Sequence, residues 1–192
     1  LRDMLWSSSP SANNKQIPPM LTLCKGMPIM IRTNSATELC ITKGQEGTVY
    51  AWMEGVGPCG KRVLEVLFVS LIRPPSDVHV PGLPPNVVPV VRTSNTIVCS
   101  LPDDTTVKIS RMQVEVVLNF AMTDFASQGK TRPYNPVDLN NCRTHQSYYM
   151  ALSRTATADR TLLLPSIANI RASPIDAHKI QGGCSGRLRQ EF

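Results

Sequence analysis

Aromatic side chains are scarce: four Phe, four Tyr and two Trp make up 5% of the 192 residues. A core must therefore be built from Val, Leu, Ile and Met, and a hydrophobic content of 42% is enough to build one, which argues against wholesale disorder. No apolar run approaches the roughly 20 residues that cross a bilayer as a helix, so no membrane partner is expected. Paired cysteines are missing too. Cys24, Cys40, Cys59, Cys99, Cys142 and Cys184 contain no C-x-x-C, and His79, His145 and His178 fall near none of them at a zinc-ligand spacing. A structural metal is not expected, and the cysteines read as buried reduced thiols of an intracellular protein. Acidic residues are the minority, 14 against 20 Lys and Arg, giving a net charge of +6 and a pI near 9.2. That balance favours polyanionic partners, although many domains without a nucleic-acid role are mildly basic and no long Lys/Arg block sharpens the reading.

Complete catalytic signatures are also absent. Gly129-Lys130-Thr131 has the look of the end of a phosphate-binding loop, but G-x-x-x-x-G-K-[ST] would put its first glycine at position 124, which is Asp124. A carboxylate there repels phosphates, so the P-loop reading fails. No Asp-Glu pair exists to hold magnesium at a strand end, and Ser153 with His145 has no G-x-S-x-G elbow around it. The chain opens on Leu1 in what reads as mid-sequence, and a fragment of a longer protein is expected.

Proline, by contrast, is plentiful. There are 16, above the average of roughly 5%, which points to short elements joined by stiff connections. Residues 1–19 read as a leading linker containing Ser7-Ser8-Ser9-Pro10 and Pro18-Pro19. Residues 28–32, 47–52 and 63–72 are short β-branched and apolar runs separated by Gly and Pro, the punctuation of a small antiparallel β unit. The six prolines between 73 and 92 predict an excursion outside any sheet interior. Strands are expected at 96–100, 105–110 and 113–117, with a turn at Pro102-Asp103-Asp104. A further strand is expected at 118–123, leading into a loop or helix start at Ser127-Gln128-Gly129. A helix over 146–155 is suggested by Tyr149, Leu152 and Ala156, followed by a strand at 161–164 bounded by Pro165. Strand, turn, helix and strand suggest a piece of an α/β layer.

Three segments carry a resemblance. Residues 121–131, AMTDFASQGKT, resemble motif V of PIF/RecD-type superfamily 1 DNA helicases, roughly A-x-T-x-H-K-S-Q-G-x-T. Residues 149–154, YMALSR, resemble motif VI, Y-V-A-L-S-R. Residues 21–49 resemble the opening of that family's inserted β domain, with Asn34 and Gly44 to Gly47 at its turn positions. Their order agrees with the family's, and the likeness covers about residues 20–165. The Pro-rich stretch 81–85 and the tail 183–192 are similar to helicase-like proteins of fungal mobile elements.

The resemblance implies an α/β fold: part of the second RecA-like helicase domain (117–192, motifs V and VI), with an SH3-like β module inserted at 20–116. It implies that Arg154 is an arginine finger on the γ-phosphate of ATP, with Gln128 and Gly129 in nucleotide contact. Thr123 and Thr131 are implied as DNA-phosphate contacts, with turn and capping roles as the plainer alternative. Lys25, Arg32 and Lys43 either attract phosphate non-specifically or are solvated surface charges. Phe125-Ala126 replace the family's His-Lys, and Thr155-Ala156-Thr157 replace its basic follow-up to motif VI. ATP and Mg would be held mainly by an N-terminal RecA-like half of the same protein. Single-stranded or fork DNA would be the other partner, in repair or recombination, and the location nuclear. The chain alone is expected to hydrolyse no ATP. The alternatives are a catalytically inactive DNA-binding remnant, or a β-rich protein-interaction module.

Overall fold

The computed structural model describes residues 5–6, 17–57, 60–101, 105–123, 126–140, 142 and 144–164. The architecture is mixed and sheet-rich with few helices. The chain divides into two compact units, Leu1–Ala121 and Met122–Phe192.

The first unit is built on a five-stranded antiparallel sheet. Its strands are β1 (Pro28–Ile31), β2 (Glu46–Val56), β3 (Arg62–Leu71), β4 (Val87–Val91) and, after an intervening hairpin, β7 (Val116–Leu118). Their spatial order is β4-β3-β2-β1-β7. The three strands expected from β-branched runs thus occupy neighbouring places in one sheet. Alternation supplies the core, because residues two apart on a strand face the same way. Ile29 and Ile31 on β1, Leu67, Val69 and Leu71 on β3, and Val88 and Val90 on β4 point inward together with Val49, Val114 and Val116. The hairpin is β5 (Thr93–Ser100) with β6 (Thr106–Gln113). A smaller apolar cluster of Ile17, Ile97 and Cys99 lies against it, joined by Leu5 and Ile109. The expected turn at 102–104 lies outside the described residues.

Asn34 and Gly44 shape the turn between β1 and β2. Asn34 Oδ1 accepts from Lys43 N at 2.7 Å, and Gly44, at φ +89°, donates to Ile31 O at 2.8 Å. Gly47 is different: it lies within β2, and a Cβ there would stand 2.5 Å from Val69 Cγ1 and 2.8 Å from Ser70 O. Its lack of a side chain lets β3 approach.

Four expectations need correction. The proline-rich excursion 73–92 ends in a strand, since residues 87–91 form β4. The strand tolerates Pro89 because it is the sheet's edge, where a missing N–H need not break a ladder. Asn86, at φ +58°, closes the excursion by accepting from Val78 N at 2.8 Å and donating its own N–H to Val78 O at 2.9 Å. The strand expected at 113–117 is two things: Gln113 ends β6, and β7 starts at Val116 in the other sheet. Residues 119–123 carry no strand. The cysteines are not uniformly buried either. Cys40 and Cys99 are, but Cys24 is exposed, while Cys59 and Cys184 lie outside the described residues.

In the second unit β8 (Asn135–Val137) pairs in parallel with β9 (Thr161–Leu163), and helix α1 (His145–Leu152) lies between them in sequence. Thr144 caps α1 by accepting from Ser147 N at 3.2 Å. The buried face carries Tyr148 and Ala151, while Tyr149 is 65% exposed. The helix therefore ends earlier than expected and turns a different face inward from the one Tyr149, Leu152 and Ala156 suggested.

Gly47→Ala is expected to destabilise the first unit by about 1–3 kcal/mol, the usual cost of forcing extra volume into packed surroundings. Urea denaturation checks this, and an unchanged midpoint would contradict the close approach of β2 and β3.

Candidate functional site

Residues 126–129 form a turn after Thr123. Thr123 opens it twice over, its Oγ1 accepting from Ala126 N at 3.2 Å and its carbonyl from Ser127 N at 3.1 Å. The turn closes as Lys130 N donates to Ser127 O at 3.1 Å, with Gly129 at φ +76° supplying a left-handed backbone that L side chains resist. A Cβ on Gly129 would meet nothing within 4 Å, so open space lies on that side. Gln128 and Gly129 are exposed and Ser127 is buried.

Arg154 comes to this turn from the end of α1. Two interactions place it. Arg132 N donates to Arg154 O at 2.7 Å, within a parallel bridge between Arg132 and Thr155. Buried Asn135, on β8, donates Nδ2–H to Ala151 O at 2.8 Å and so ties the last turn of the helix to the strand. The guanidinium then reaches the turn itself: Nη1 donates to Ser127 O at 3.1 Å, and Nη2 donates to Ser153 Oγ at 2.6 Å. Its Nε is buried and, among the described residues, has no hydrogen-bond acceptor. Among the described residues no carboxylate pairs with Arg154. The result is a half-buried cation whose Nε–H is unsatisfied among the described residues, beside an exposed glycine turn. Such a group is suited to an anion that brings several acceptor oxygens.

The remaining candidates are spread more widely. Thr131 is exposed next to Arg132. Arg32 follows β1 and is half-buried, at the same end of the sheet as exposed Lys43. Lys25 is exposed at the other end of β1, beside Gly26, whose N–H donates to Val49 O at 2.8 Å. Asp124 and Phe125 lie outside the described residues. The motif reading passed over Asn135 and the Ser127 carbonyl. A backbone carbonyl has no sequence signature, and an Asn between Tyr134 and Pro136 reads as a turn residue. Among the described residues no cluster of His, Cys, Asp or Glu is arranged to hold a metal ion, and no helix is long and apolar enough to cross a membrane.

No protein family's model matches the sequence, and no curated protein does. Solved structures do match. The Pif1 helicase from Candida albicans superposes with a TM-score of 0.54 at 21% identity, over 77% of this chain and 33% of that one. The Pif1 helicase from Bacteroides in complex with ADP-AlF3 and ssDNA gives 0.52 at 23% identity, over 84% of this chain and 35% of that one. Bacteroides Pif1 bound to ssDNA gives 0.51 at 22% identity, over 76% and 32%. The sheet-rich chain has the fold of a region of Pif1 helicases, and it spans about a third of their length.

Arg154→Gln is expected to change stability by no more than about 1 kcal/mol. It loses the bond to Ser127 O but also removes an unsatisfied buried donor, and Lys130 N still serves that carbonyl. Urea unfolding measures the difference; a loss beyond about 2 kcal/mol would make Arg154 a structural strut.

Proposed function

We propose that the chain is the C-terminal region of a PIF/RecD-type DNA helicase, supplying the arginine finger and part of the single-strand track. The observation that carries this reading is the Arg154 guanidinium, held by Ser127 O at the Gln128-Gly129 turn with its Nε–H unsatisfied. A γ-phosphate is an acceptor-rich dianion, and the planar fork of arginine contacts it with several donors at once. As the β–γ bond breaks and charge develops on the transferring phosphoryl group, a positioned guanidinium stabilises that charge. Gln128 and Gly129, exposed beside it, form the surface along which the nucleotide lies.

The other half of the site belongs to an N-terminal RecA-like domain. The chain's own sequence contains no G-x-x-x-x-G-K-[ST], so ATP and Mg are held mainly by that domain. The related Bacteroides protein in complex with ADP-AlF3 and ssDNA supports both ligand classes for this reading. Residues 117–192 are the RecA-like fragment and 20–116 the inserted β module of SH3-like kind. The antiparallel sheet of the first unit supports that division, since β1 and β7 bring the module's two ends side by side. Thr123 and Thr131 contact DNA phosphates in this reading, the Thr123 hydroxyl keeping its proton to donate while it accepts from Ala126 N. Lys25, Arg32 and Lys43 add non-specific attraction. The setting is DNA repair or recombination in the nucleus. The likeness to fungal mobile-element proteins rests on residues 81–85 and on a tail that lies outside the described residues.

Joined to a phosphate-binding N-terminal half, Arg154→Lys should lower DNA-stimulated ATP turnover by about 10³-fold or more while leaving melting temperature and single-strand affinity near wild type. Unchanged turnover would refute the finger. For the 192-residue chain by itself, single-strand binding should be independent of base sequence and fall steeply as salt rises, because the contacts are to phosphates. Tight binding that survives high salt would contradict the phosphate track.

A further inference from the structure

In a chain with so few aromatics, both tryptophans line one groove of the first unit. It has a volume of about 630 Å³, within the range of small-ligand sites. Trp52, on β2, and Trp6 face it together with Pro19, Met20, Lys61 and Arg62. Trp52 Nε1 donates to Glu54 Oε1 at 3.0 Å, and Glu54 Oε2 accepts from Arg62 Nη1 at 3.1 Å. That chain of bonds fixes the indole, uses its only donor and neutralises the one carboxylate among the described lining residues. Lys61 Nζ sits 5.0 Å from the centroid of the Trp6 ring, held at the rim by cation–π attraction. Trp52 therefore offers a flat aromatic surface whose own donor is engaged, next to a positioned cation whose charge no carboxylate among the described lining residues cancels.

We propose that this groove is a base-stacking site for single-stranded nucleic acid, with Trp52 as the platform and Lys61 as the contact to an adjoining phosphate. The choice of polyanion rests on the helicase reading; the geometry of the groove does not. Stacking suits any base because every base has a π-face, and a cation beside an aromatic surface matches the alternation of base and phosphate. A proline-rich peptide fits less well, because the Trp52 N–H is already committed to Glu54 and the described lining holds no uncommitted acid to meet a basic flank. The site is separate from Lys25, Arg32 and Lys43, and its affinity would add to theirs.

The two tryptophans are the only ones in the chain, so their fluorescence reports on this groove alone. Titration of the 192-residue chain with a dT oligonucleotide, followed by both fluorescence and anisotropy, should show quenching that tracks binding. Trp52→Leu should weaken binding by about fivefold or more. Lys61→Gln should lower the slope of log affinity against log salt by about 0.7. Because Lys61 is exposed, that variant keeps the test decisive even if Trp52→Leu fails to fold. Binding seen by anisotropy without quenching, and insensitive to both variants, would overturn the groove while leaving the phosphate track intact. Equal quenching by an abasic phosphodiester would overturn stacking, as would quenching by a proline-rich peptide in place of dT. No binding of dT at all would overturn both the groove and the DNA track. The arginine finger would still stand or fall on the turnover of Arg154→Lys.

Discussion

Strand β1 is the constraint on which the first unit depends. It is only four residues long, yet it is paired on both edges: with β2 through Pro28–Thr48, Ile29–Gly47 and Met30–Glu46, and with β7 through Ile29–Leu118, Met30–Val117 and Ile31–Val116. The second pairing joins residues far apart in sequence, and Arg32 N donates to Glu115 O at 3.1 Å just beyond it. Everything from residue 33 to 114 is thus an excursion whose two ends are hydrogen-bonded neighbours. Closing a long loop costs entropy that grows only slowly with its length, so the size of the excursion is little obstacle once β1 and β7 bury Ile29, Ile31 and Val116. A unit that leaves and returns to adjacent strands can be carried inside another domain without disturbing it.

A second, local constraint governs the candidate site. Asn135 fastens the end of α1 to β8, the Arg132–Thr155 bridge fixes the chain just after it, and Arg154 is delivered to the Ser127 carbonyl. None of these bonds uses the full donor capacity of the guanidinium, and among the described residues the buried Nε has no acceptor. An unsatisfied buried donor is a cost to folding. In the proposed arginine-finger role, it is the remaining Nη donors beside the exposed glycine turn that are left for a partner arriving from outside.

Much of this was legible in the sequence, and the parts that were not have identifiable physical causes. β1, β2 and β3 announced themselves because Ile29, Ile31, Val49, Leu67 and Val69 are β-branched or aliphatic side chains in short runs cut by glycines. β4 was hidden by Pro89 and by the prolines before it: composition says that a proline is unlike sheet interior, but not that the strand lies at an edge. β7 was hidden because Gln113 to Val117 reads as one strand with its β-branched residues, while the chain changes sheets within it at Val114 and Glu115. At the site, the resemblance to motifs V and VI pointed Arg154 and Gln128-Gly129 at one nucleotide. The contact itself goes to a backbone carbonyl, which any residue at 127 would provide. The Trp6–Trp52 groove joins residues distant in sequence, and no local pattern marks it.

The central claim is that Arg154 belongs to an ATP site completed by another domain. The most direct measurement is a crystal structure of the chain joined to a phosphate-binding N-terminal half, with ADP and aluminium fluoride bound in place of the transferring phosphoryl group. The account predicts that Arg154 donates to the aluminium fluoride from hydrogen-bonding distance, about 2.7–2.9 Å, with Gln128 and Gly129 beside the nucleotide. An Arg154 still held only by Ser127 O and Ser153 Oγ, remote from the occupied nucleotide, would contradict it.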